Sequence, residues 1–432
     1  MFKGKLGPQK QVHLADPRLF EQVMRAQGKY PDRPAFNSWK LYRRVTGKSC
    51  GIVTGTGEEW HSARAVLNKK MLPPKKVAEF TGVLSEVTSD LVEKLRYIRD
   101  TQGAEALTTS IPNELYKWSM ESIGSVLFET RMGCLKPDMP ERVQAFIDSI
   151  SQMMQSSLQV MIGEEIHRTL NTRFWRRHEA AWDAIFDIGK SYIDEKLDDL
   201  EKAMEEGRDI AEEEGGKFLT HLLSSQNLSM RQIYANVTEL LLSGVDTTSN
   251  TLAFTLHLLS THPEVQEKLH AEVSRVLGQG TPTPESMEQM SYLKCILKEA
   301  LRLYPVVTMN VRVLDEDLVI DGYRIPKKTM YVMNHYAACR NEQLFEKADE
   351  FIPERWDRSV HRHTKKPFAS LPFGFGTRAC LGKRIAKLEL HLALSKMSQN
   401  FKLEPYAGMQ LKPTLRTLLT AGPHLPLRMI DR

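Results

Sequence analysis

The sequence of 432 residues predicts a mainly α-helical protein with small β-sheets near both ends of the chain. Apolar residues recur at spacings of three and four through 110–160, 174–205 and 229–278, which is the pattern of helices with one buried face. Apolar and polar residues alternate instead in 7–14 and in the segment after Pro305, which is typical of strands with one buried face.

The first elements follow from local signals. The alternating segment 7–14 predicts a strand, and Pro17 predicts the first turn of a helix that reaches about Gln27. Ser229 predicts the start of a long helix that ends near His262, because a serine N-cap ahead of an apolar run satisfies free N–H groups of the first turn.

The remaining elements are marked by composition and turn residues. The acidic, apolar-poor stretch 201–216 ends in two glycines and predicts a solvated connector. Asp321 and Gly322 separate two alternating runs and predict a tight hairpin turn. A last long helix is predicted over about 381–399 and a β-like tail over 402–430.

Composition excludes several classes of protein. With 41% hydrophobic and 26% charged residues, the chain is too apolar for a disordered protein. The nearly uncharged run 240–263 contains Asp246 and several hydroxyl and amide residues, so it predicts a buried helix and not a membrane span. The net charge of +5 suits an acidic partner only if basic residues cluster.

The cysteines argue against a disulfide scaffold or a zinc site, because their number is odd and no two of them form a C-x-x-C pair. They are Cys50, Cys134, Cys295, Cys339 and Cys380.

The segment Phe373–Gly382 carries the most specific chemistry in the sequence. Gly374 and Gly376 permit a bulged turn with positive φ angles. Cys380 follows at the start of the last predicted helix, whose free N–H groups favour a thiolate. A cysteine in this setting is suited to ligate iron, and Gly382 leaves room for a flat macrocycle to approach the helix.

This segment resembles the haem-binding loop of the cytochrome P-450 superfamily, whose pattern F-x-x-G-x-R-x-C-x-G it matches at every specified position. The resemblance implies a helical body with small β-sheets and haem between an oxygen-binding helix and the cysteine loop. It implies haem b as the cofactor, Cys380 as the axial ligand of the iron, and Phe373, Arg378 and Gly382 as further cofactor-binding residues. It also implies a single haem-thiolate monooxygenase domain over 1–432.

Two further motifs precede the cysteine loop in the family's order. Glu299 and Arg302 resemble the E-x-x-R of the family's K helix, and 351–356 resembles the segment whose arginine, here Arg355, completes a Glu-Arg-Arg network. Glu299 and Arg302 lie one turn apart on one helical face, so the carboxylate could hold a second arginine bidentately. The resemblance gives the three residues a structural role.

The segment 243–248 resembles the family's oxygen-activation motif A/G-G-x-D/E-T-T, with serine at its first position. We expect Gly244 and Thr247 to open the backbone hydrogen-bond ladder there, because a threonine hydroxyl can replace an amide as the partner of a carbonyl. The resemblance implies that Asp246 and Thr247 are the catalytic residues and deliver protons.

Cations and an indole are expected around the haem propionates. Trp60 and Arg64 lie four residues apart on one helical face and resemble the family's W-x-x-x-R pair. Arg312 and Arg378 fit its other propionate partners.

Longer stretches indicate the branch of the family. FETRMGCL, ELLLSGVDTTSNTL and PFASLPFGFGTRACLGKRIAKLEL resemble the mitochondrial group that contains sterol 27-hydroxylase and 25-hydroxyvitamin D 1-alpha-hydroxylase. Lys294 and Lys298 resemble the site at which that group binds the acidic 2Fe-2S ferredoxin adrenodoxin, and Lys383, Arg384 and Lys387 are expected on the same proximal side. The resemblance also implies the matrix side of the mitochondrial inner membrane, peripheral membrane contact, a monomer and no nucleic-acid partner.

Two features depart from that group. The chain starts at the first strand, without the presequence, the proline-rich hinge and the first helix expected of the group. Segment 161–179 lacks the prolines that usually separate the family's F and G helices, at the point where membrane contact and substrate entry are expected.

The resemblance places the substrate pocket among mostly apolar residues, which suits a rigid lipophilic substrate. These are the Trp39 loop, Leu240, Val306 to Met309 with Val307 among them, Leu418 and Leu419. Met153 and Met154 are predicted to fill a core instead.

The sequence therefore predicts a haem-thiolate monooxygenase that hydroxylates a sterol or secosteroid, similar to a sterol side-chain 27-hydroxylase, with dioxygen and electrons from a ferredoxin. An enzyme that oxidises 25-hydroxyvitamin D or a retinoid is the alternative within the branch. Asp246 and Thr247 speak against an oxygen-independent isomerase or dehydratase, which would not need them. A catalytically inactive haem- or sterol-binding protein is the alternative from another class.

Overall fold

A computed structural model describes residues 1–7, 9–34, 37–102, 107–108, 111–206, 217–357, 368–406 and 411–432. Helices dominate these residues, and strands lie near both ends and after residue 308, so the predicted mainly α class with small sheets is confirmed. The helices are α1 (Pro17–Arg25), α2 (Asn37–Thr46), α3 (Gly57–Met71), α4 (Pro74–Ala78), α5 (Thr81–Gln102), α6 (Ile111–Phe128), α7 (Glu141–Gln159), α8 (Glu164–Thr169), α9 (Arg173–Glu205), α10 (Phe218–Leu223), α11 (Met230–Thr261), α12 (Pro263–Leu277), α13 (Pro284–Gln289), α14 (Ser291–Leu303), α15 (His335–Cys339) and α16 (Lys383–Asn400), with a 3-10 helix at Pro353–Trp356.

The strands form four small sheets. They are β1 (Phe2–Leu6), β2 (Gln9–Leu14), β3 (Leu107–Thr108), β4 (Met309–Val313), β5 (Leu318–Ile320), β6 (Tyr323–Ile325), β7 (Met330–Asn334), β8 (Phe401–Pro405), β9 (Thr414–Leu415), β10 (Leu419–Thr420) and β11 (Leu427–Asp431). The four-stranded sheet has the order β1-β2-β7-β4, in which β2 and β7 are parallel and the other neighbours are antiparallel. The order β3-β11-β8 forms a second sheet, and β5-β6 and β9-β10 are separate hairpins.

Local signals predict several boundaries correctly. Pro17 is the first residue of α1. Ser229 precedes α11, where its hydroxyl accepts from the Gln232 N–H and its own N–H donates to the Gln232 side chain, so the predicted N-cap is confirmed. Asp321 and Gly322 have φ of +50° and +78° and join β5 to β6 in a two-residue turn, as predicted.

The predicted end of the long helix near His262 is confirmed: α11 ends at Thr261, and Pro263, which lacks the N–H that would continue α11, starts α12. Other boundaries differ from the prediction. The predicted connector 201–216 begins inside α9, which extends to Glu205, and 207–216 lie outside the described residues. The short strand β1 was not predicted, because apolar and polar residues alternate only weakly in its sequence. Antiparallel pairing with β2 stabilises it as a strand.

Two compact units make up the chain, and each consists of separate stretches of sequence. Unit 1 comprises Met1–Arg33, Thr81–Trp118 and Thr247–Arg432, and unit 2 comprises Pro34–Phe80 and Ser119–Asp246. The boundaries between them fall inside α6 and α11.

Unit 1 contains the sheets, and its core forms where α1 packs on the four-stranded sheet. Phe20 and Val23 of α1, Leu14 of β2 and Met333 of β7 are fully buried in this cluster. The amphipathic pattern of α1 and the alternation of β2 thus bury their apolar faces against each other.

Unit 2 is built from helices, with α7 and α9 packed along each other. Met153 and Met154 of α7 are buried, so the prediction that they fill a core is confirmed. Within the described ranges, no helix combines the length and apolarity required to cross a bilayer. Residues 240–261 of the nearly uncharged run lie in α11 and most of them are buried, as predicted.

Candidate functional site

The segment Phe373–Gly382, called the cysteine loop below, lies in unit 1 just before α16. Gly374 and Gly376 have φ of +67° and +75°, a region that favours glycine. The N–H of Cys380 donates to the Phe373 carbonyl at 2.8 Å, and the N–H of Ala379 donates to the Gly376 carbonyl at 3.0 Å. These bonds fix the backbone that carries the Cys380 sulfur.

Cys380 differs from the other cysteines in its exposure. It is exposed, Cys50 is half-buried, and Cys134, Cys295 and Cys339 are buried. Burial raises the pKa of Cys339 to about 11, which keeps that thiol protonated. The prediction that the cysteines form no disulfides is confirmed, and Cys380 has the accessibility that a ligand needs.

Two buried arginines of unit 1 lie in or near the cysteine loop: Arg378 belongs to it, and Arg312 bonds to Gln27, whose side chain lies near Gly376. Arg312 is 1% exposed, and its guanidinium donates to the Gln27 side-chain oxygen and the Val311 carbonyl, both at 2.7 Å. Burial, with a smaller contribution from Arg33, lowers the pKa of Arg312 to about 10. Arg378 is also buried and donates from Nε to the Pro31 carbonyl at 2.9 Å.

These residues fit a haem. Among the described residues, Arg312 has amide and carbonyl oxygens but no carboxylate as hydrogen-bond acceptors, so its buried charge calls for an anion such as a propionate. A Cβ built on Gly382 would meet no described atom within 4 Å, which leaves the start of α16 accessible to a flat group.

The part of α11 that belongs to unit 1 begins at Thr247. Thr247 is half-buried, and its carbonyl accepts from the Thr251 hydroxyl at 2.8 Å. Asn250 donates to the Tyr116 hydroxyl at 2.8 Å and accepts from the Ala421 N–H at 3.1 Å. Asn250 therefore anchors α11 to two other segments of unit 1.

A buried carboxyl group faces α11 within unit 1. Glu389 of α16 is 2% exposed and forms a side-chain hydrogen bond with Thr248. Burial raises the pKa of Glu389 to about 8, and the bond from Thr248 opposes that rise. At neutral pH this carboxyl group is mainly protonated.

The part of α11 in unit 2 holds Gly244 and Asp246. Asp246 is 3% exposed. A Cβ on Gly244 would lie 2.7 Å from Cγ1 of Ile123, so glycine permits close packing of α11 on α6. The Gly244 carbonyl accepts from the Ser119 hydroxyl at 3.0 Å.

α11 is continuous through Gly244 and Thr247, and the expected opening of individual backbone hydrogen bonds there stays a prediction. The hydroxyl of Ser243 donates to the Glu239 carbonyl at 2.6 Å, one turn earlier. A helical carbonyl such as that of Glu239 can accept from a side chain and from a backbone N–H at the same time. The Ser243 hydroxyl therefore does not require a missing backbone hydrogen bond.

Trp60 and Arg64 lie in α3 of unit 2, on one helical face as predicted. Trp60 is 2% exposed, and Arg64 donates from Nε to the Asn68 side chain at 2.8 Å.

The structure brings Glu299, Arg302 and Arg355 together in unit 1. Glu299 and Arg302 are fully buried and form a two-bond pair, with Nε to Oε2 at 2.9 Å and Nη2 to Oε1 at 2.7 Å. Arg355 donates a single bond from Nε to Oε1 at 2.8 Å, and Trp356 donates from its indole to Oε2 at 2.7 Å. We expected Glu299 to hold the second arginine, Arg355, through two bonds. The structure shows instead that Arg302 makes the two-bond contact and Arg355 a single bond.

Five basic residues of α14 and α16 form one group in unit 1, called the cationic cluster below. They are Lys294, Lys298, Lys383, Arg384 and Lys387. Burial and then the other four charges lower the pKa of Lys387. The ammonium groups of Lys383 and Lys387 lie 5.7 and 5.8 Å from the centre of the Phe373 ring, which connects the cluster to the cysteine loop.

The predicted pocket residues of unit 1 include exposed apolar side chains. Val307 and Met309 are 37% and 40% exposed, and Leu418 is half-buried. The N–H of Leu419 donates to the Val306 carbonyl at 2.9 Å, so the two predicted pocket segments are neighbours.

The predicted pocket residues of unit 2 are Trp39 and Leu240, and both are buried. Trp39 lies in α2 and not in a loop, because its indole donates to the Ser157 hydroxyl at 2.6 Å and packs edge-on to Trp182. These long-range contacts stabilise a helix that its local sequence marks weakly.

Sequence reasoning missed Glu239, Asn250 and Glu389. Each is a buried polar side chain in a largely apolar helix. One sequence signal could have identified such residues. Glu239 lies directly before the apolar run Leu240 to Leu242, and a charge that is buried in such a run requires partners.

Comparison with known proteins agrees with the geometry. The family model described as Cytochrome P450 matches residues 1–428. The chain is 36% identical to "Cytochrome P450 27C1" of Danio rerio over 100% of the chain and 80% of that protein. It is 39% identical to "Sterol 26-hydroxylase, mitochondrial" of Homo sapiens (100% and 82%) and 37% identical to "25-hydroxyvitamin D-1 alpha hydroxylase, mitochondrial" of Rattus norvegicus (100% and 87%).

Proposed function

This chain belongs to the cytochrome P450 family, and we propose from that premise that it is a haem-thiolate monooxygenase which hydroxylates an unactivated carbon of a sterol or secosteroid. The observation that carries the proposal is the cysteine loop, where an exposed cysteine precedes α16 and is fastened through its N–H to the Phe373 carbonyl. We retain residues 1–432 as one haem-thiolate domain, because the family model spans nearly the whole chain.

Haem b, when bound, supplies an iron that activates dioxygen. Cys380 would hold that iron, and the bond to Phe373 orients the cysteine. Arg312 and Arg378 are assigned to the propionates because both side chains are buried, and Arg378 belongs to the cysteine loop itself. Trp60 and Arg64 are also assigned to the propionates, because their sequence pattern resembles the family's W-x-x-x-R pair.

Proton delivery is assigned to Asp246 and Thr247. A buried carboxylate and a half-buried hydroxyl at adjacent positions of α11 can hold a proton and pass it on. An enzyme that only rearranges peroxides would not need this pair, so we favour a monooxygenase.

The substrate class follows from the relatives and from unit 1. The names of two relatives specify a sterol and 25-hydroxyvitamin D as substrates of those enzymes. Val307 and Met309 are exposed, and their segment is joined to that of Leu418 by the bond from the Leu419 N–H to the Val306 carbonyl, so these apolar side chains suit such molecules. A sterol side-chain hydroxylation is our first candidate, and oxidation of 25-hydroxyvitamin D is the second.

A 2Fe-2S ferredoxin is proposed as the electron donor. The cationic cluster concentrates five positive charges on two neighbouring helices, which would attract an acidic partner. Contact of Lys383 and Lys387 with the Phe373 ring supports the proposal that the ferredoxin docks beside the backbone that holds Cys380.

Mitochondrial localisation is proposed from the two relatives named as mitochondrial, with the matrix side of the inner membrane as the expected location. Around α8 in unit 2, Ile162, Ile166 and Leu170 are each more than 60% exposed. These side chains would allow peripheral contact of a monomer with a lipid surface.

The first experiment is a spectrum of the reduced, carbon monoxide-treated protein, with Cys380→Ser as the control. A thiolate-ligated haem gives a strongly red-shifted Soret band, which the control lacks. Absence of that band from the unaltered protein would overturn the haem-thiolate assignment.

The second experiment supplies ferredoxin, its reductase and a panel of sterols, secosteroids and retinoids, with product detection by mass spectrometry. A hydroxylated sterol or secosteroid is expected. A correct spectrum without any product would instead favour an inactive haem- or sterol-binding protein.

A further inference from the structure

Unit 2 contains a buried ion pair between Arg43 of α2 and Glu239 of α11. Arg43 is 1% exposed and Glu239 is fully buried, and Nη2 lies 2.7 Å from Oε1. Buried charges are costly unless every acceptor and donor is satisfied, so such a pair in an apolar helix invites a specific explanation.

The carboxylate of Glu239 also holds the segment between α2 and α3. Its Oε2 accepts from the N–H groups of Val53 and Thr54 at 2.8 and 3.2 Å, and its Oε1 accepts from the Thr54 hydroxyl at 2.5 Å. One side chain of α11 therefore fastens both α2 and the segment that follows it.

Close approach of this segment to α11 depends on glycine. A Cβ on Gly51 would lie 2.6 Å from Oε2 of Glu239 and 2.7 Å from the Ala235 carbonyl oxygen. The segment is thus seated directly on the helix at the level of Glu239.

The guanidinium of Arg43 connects the pair to Trp39. Nη1 donates to the Trp39 carbonyl at 2.9 Å, and Cζ lies 4.3 Å from the ring centre of Trp182, against which Trp39 also packs. Glu239 in turn directly precedes Leu240. Each of the two pocket residues assigned to unit 2 is thus connected to one partner of the ion pair: Trp39 bonds to Arg43, and Leu240 follows Glu239 in the chain.

We propose that Arg43 and Glu239 are positioning residues that fix Trp39 relative to Leu240 and thereby determine which carbon of the substrate is oxidised. This inference rests on the proposed function, because it assumes that Trp39 and Leu240 contact a sterol or secosteroid. Misplacement of a substrate by about 1 Å can cost about 100-fold in rate, so a small shift of this wall is enough to change the product.

The test uses two variants of the pair. The double variant Arg43→Met with Glu239→Leu removes both charges together, and Glu239→Gln keeps the shape of the side chain and one of its two acceptor oxygens. Arg44→Met is the matched control, because Arg44 is the next residue of α2 and pairs with Glu165 in an exposed position. For each variant, thermal stability, the carbon monoxide spectrum, KM, kcat and the ratio of hydroxylated products are measured with a substrate that the unaltered enzyme converts.

We expect both pair variants to retain the haem spectrum and to change the product ratio by about tenfold, within the range that misplacement allows. Arg44→Met should leave the ratio unchanged. An unchanged ratio and KM with lowered thermal stability would show a purely structural pair and overturn the inference. If the double variant does not fold, the same readouts on Glu239→Gln decide.

Failure of the proposed function is distinguishable, because it shows in the unaltered protein as a missing thiolate band or missing product. In that case the Trp39–Leu240 wall is tested by sterol titration followed through tryptophan fluorescence. Equal affinity of the unaltered protein and Glu239→Gln would then contradict the inference.

Discussion

The carboxyl group of Glu389 on α16 forms a hydrogen bond with the hydroxyl of Thr248 on α11, and both side chains are buried. Burial raises the pKa of Glu389 from 4.5 to about 8. As the pH rises between these values, the unfolded chain releases a proton that the folded protein retains. This group therefore lowers the free energy of unfolding progressively through that window, by at most about 1.4 kcal/mol per pH unit.

Glu389→Gln should remove this contribution, because an amide does not titrate. We expect the variant to gain stability relative to the unaltered protein when the pH is raised from about 5 to about 8, as measured by urea unfolding at both values. Glu316→Gln, at an exposed position, is the control and should show no such relative gain. A parallel pH dependence in Glu389→Gln and the unaltered protein would contradict the assigned protonation.

Arg302→Lys should strongly destabilise unit 1, because lysine cannot replace a fork that donates two bonds to Glu299 and further bonds to buried carbonyls. Disruption of such a buried pair costs about 3–5 kcal/mol, measured by chemical unfolding. Arg18→Lys is the control: its pair with Asp16 is exposed, so a loss below about 1 kcal/mol is expected. Equal losses in the two variants would refute a special role for the Glu299 network.

The local motifs were predictable because their residues are close in sequence. Glu299 and Arg302 are three positions apart on one helix, and Gly374 and Gly376 indicate the turn before Cys380. In such cases the backbone geometry follows from spacing and from the φ angles that glycine permits.

The buried polar contacts were not predictable, because they join distant parts of the chain. Arg43 and Glu239 are 196 residues apart, and nothing in either neighbourhood specifies the other as its partner. Tertiary contacts also decide that Trp39 lies in a helix, since its indole bonds to Ser157 of another helix. The sequence offered only the signal that a charge in an apolar run requires a partner.

Replacing Lys294 and Lys298 by glutamine should slow reduction by a 2Fe-2S ferredoxin. Two charges of the cationic cluster are lost, so we expect a decrease of about tenfold at low salt that diminishes at high salt, where the remaining attraction is screened. Stopped-flow reduction across a salt series measures this effect. Lys3→Gln with Lys5→Gln removes the same charge from the exposed strand β1 and should leave the rate unchanged. Unaltered kinetics in the first double variant would remove the proposed docking surface.

Thr247→Ala should uncouple oxygen consumption from hydroxylation, because the variant lacks the half-buried hydroxyl that we assign to proton delivery beside Asp246. We expect less hydroxylated product per oxygen consumed and more peroxide, with the carbon monoxide spectrum retained. Thr255→Ala is the matched control: it removes the same hydroxyl from α11, two turns beyond Thr247, where that hydroxyl donates to the Thr251 carbonyl. Oxygen uptake, peroxide and product are measured together for both variants. Full coupling in Thr247→Ala would exclude this hydroxyl from the proton path and leave Asp246 as the remaining candidate.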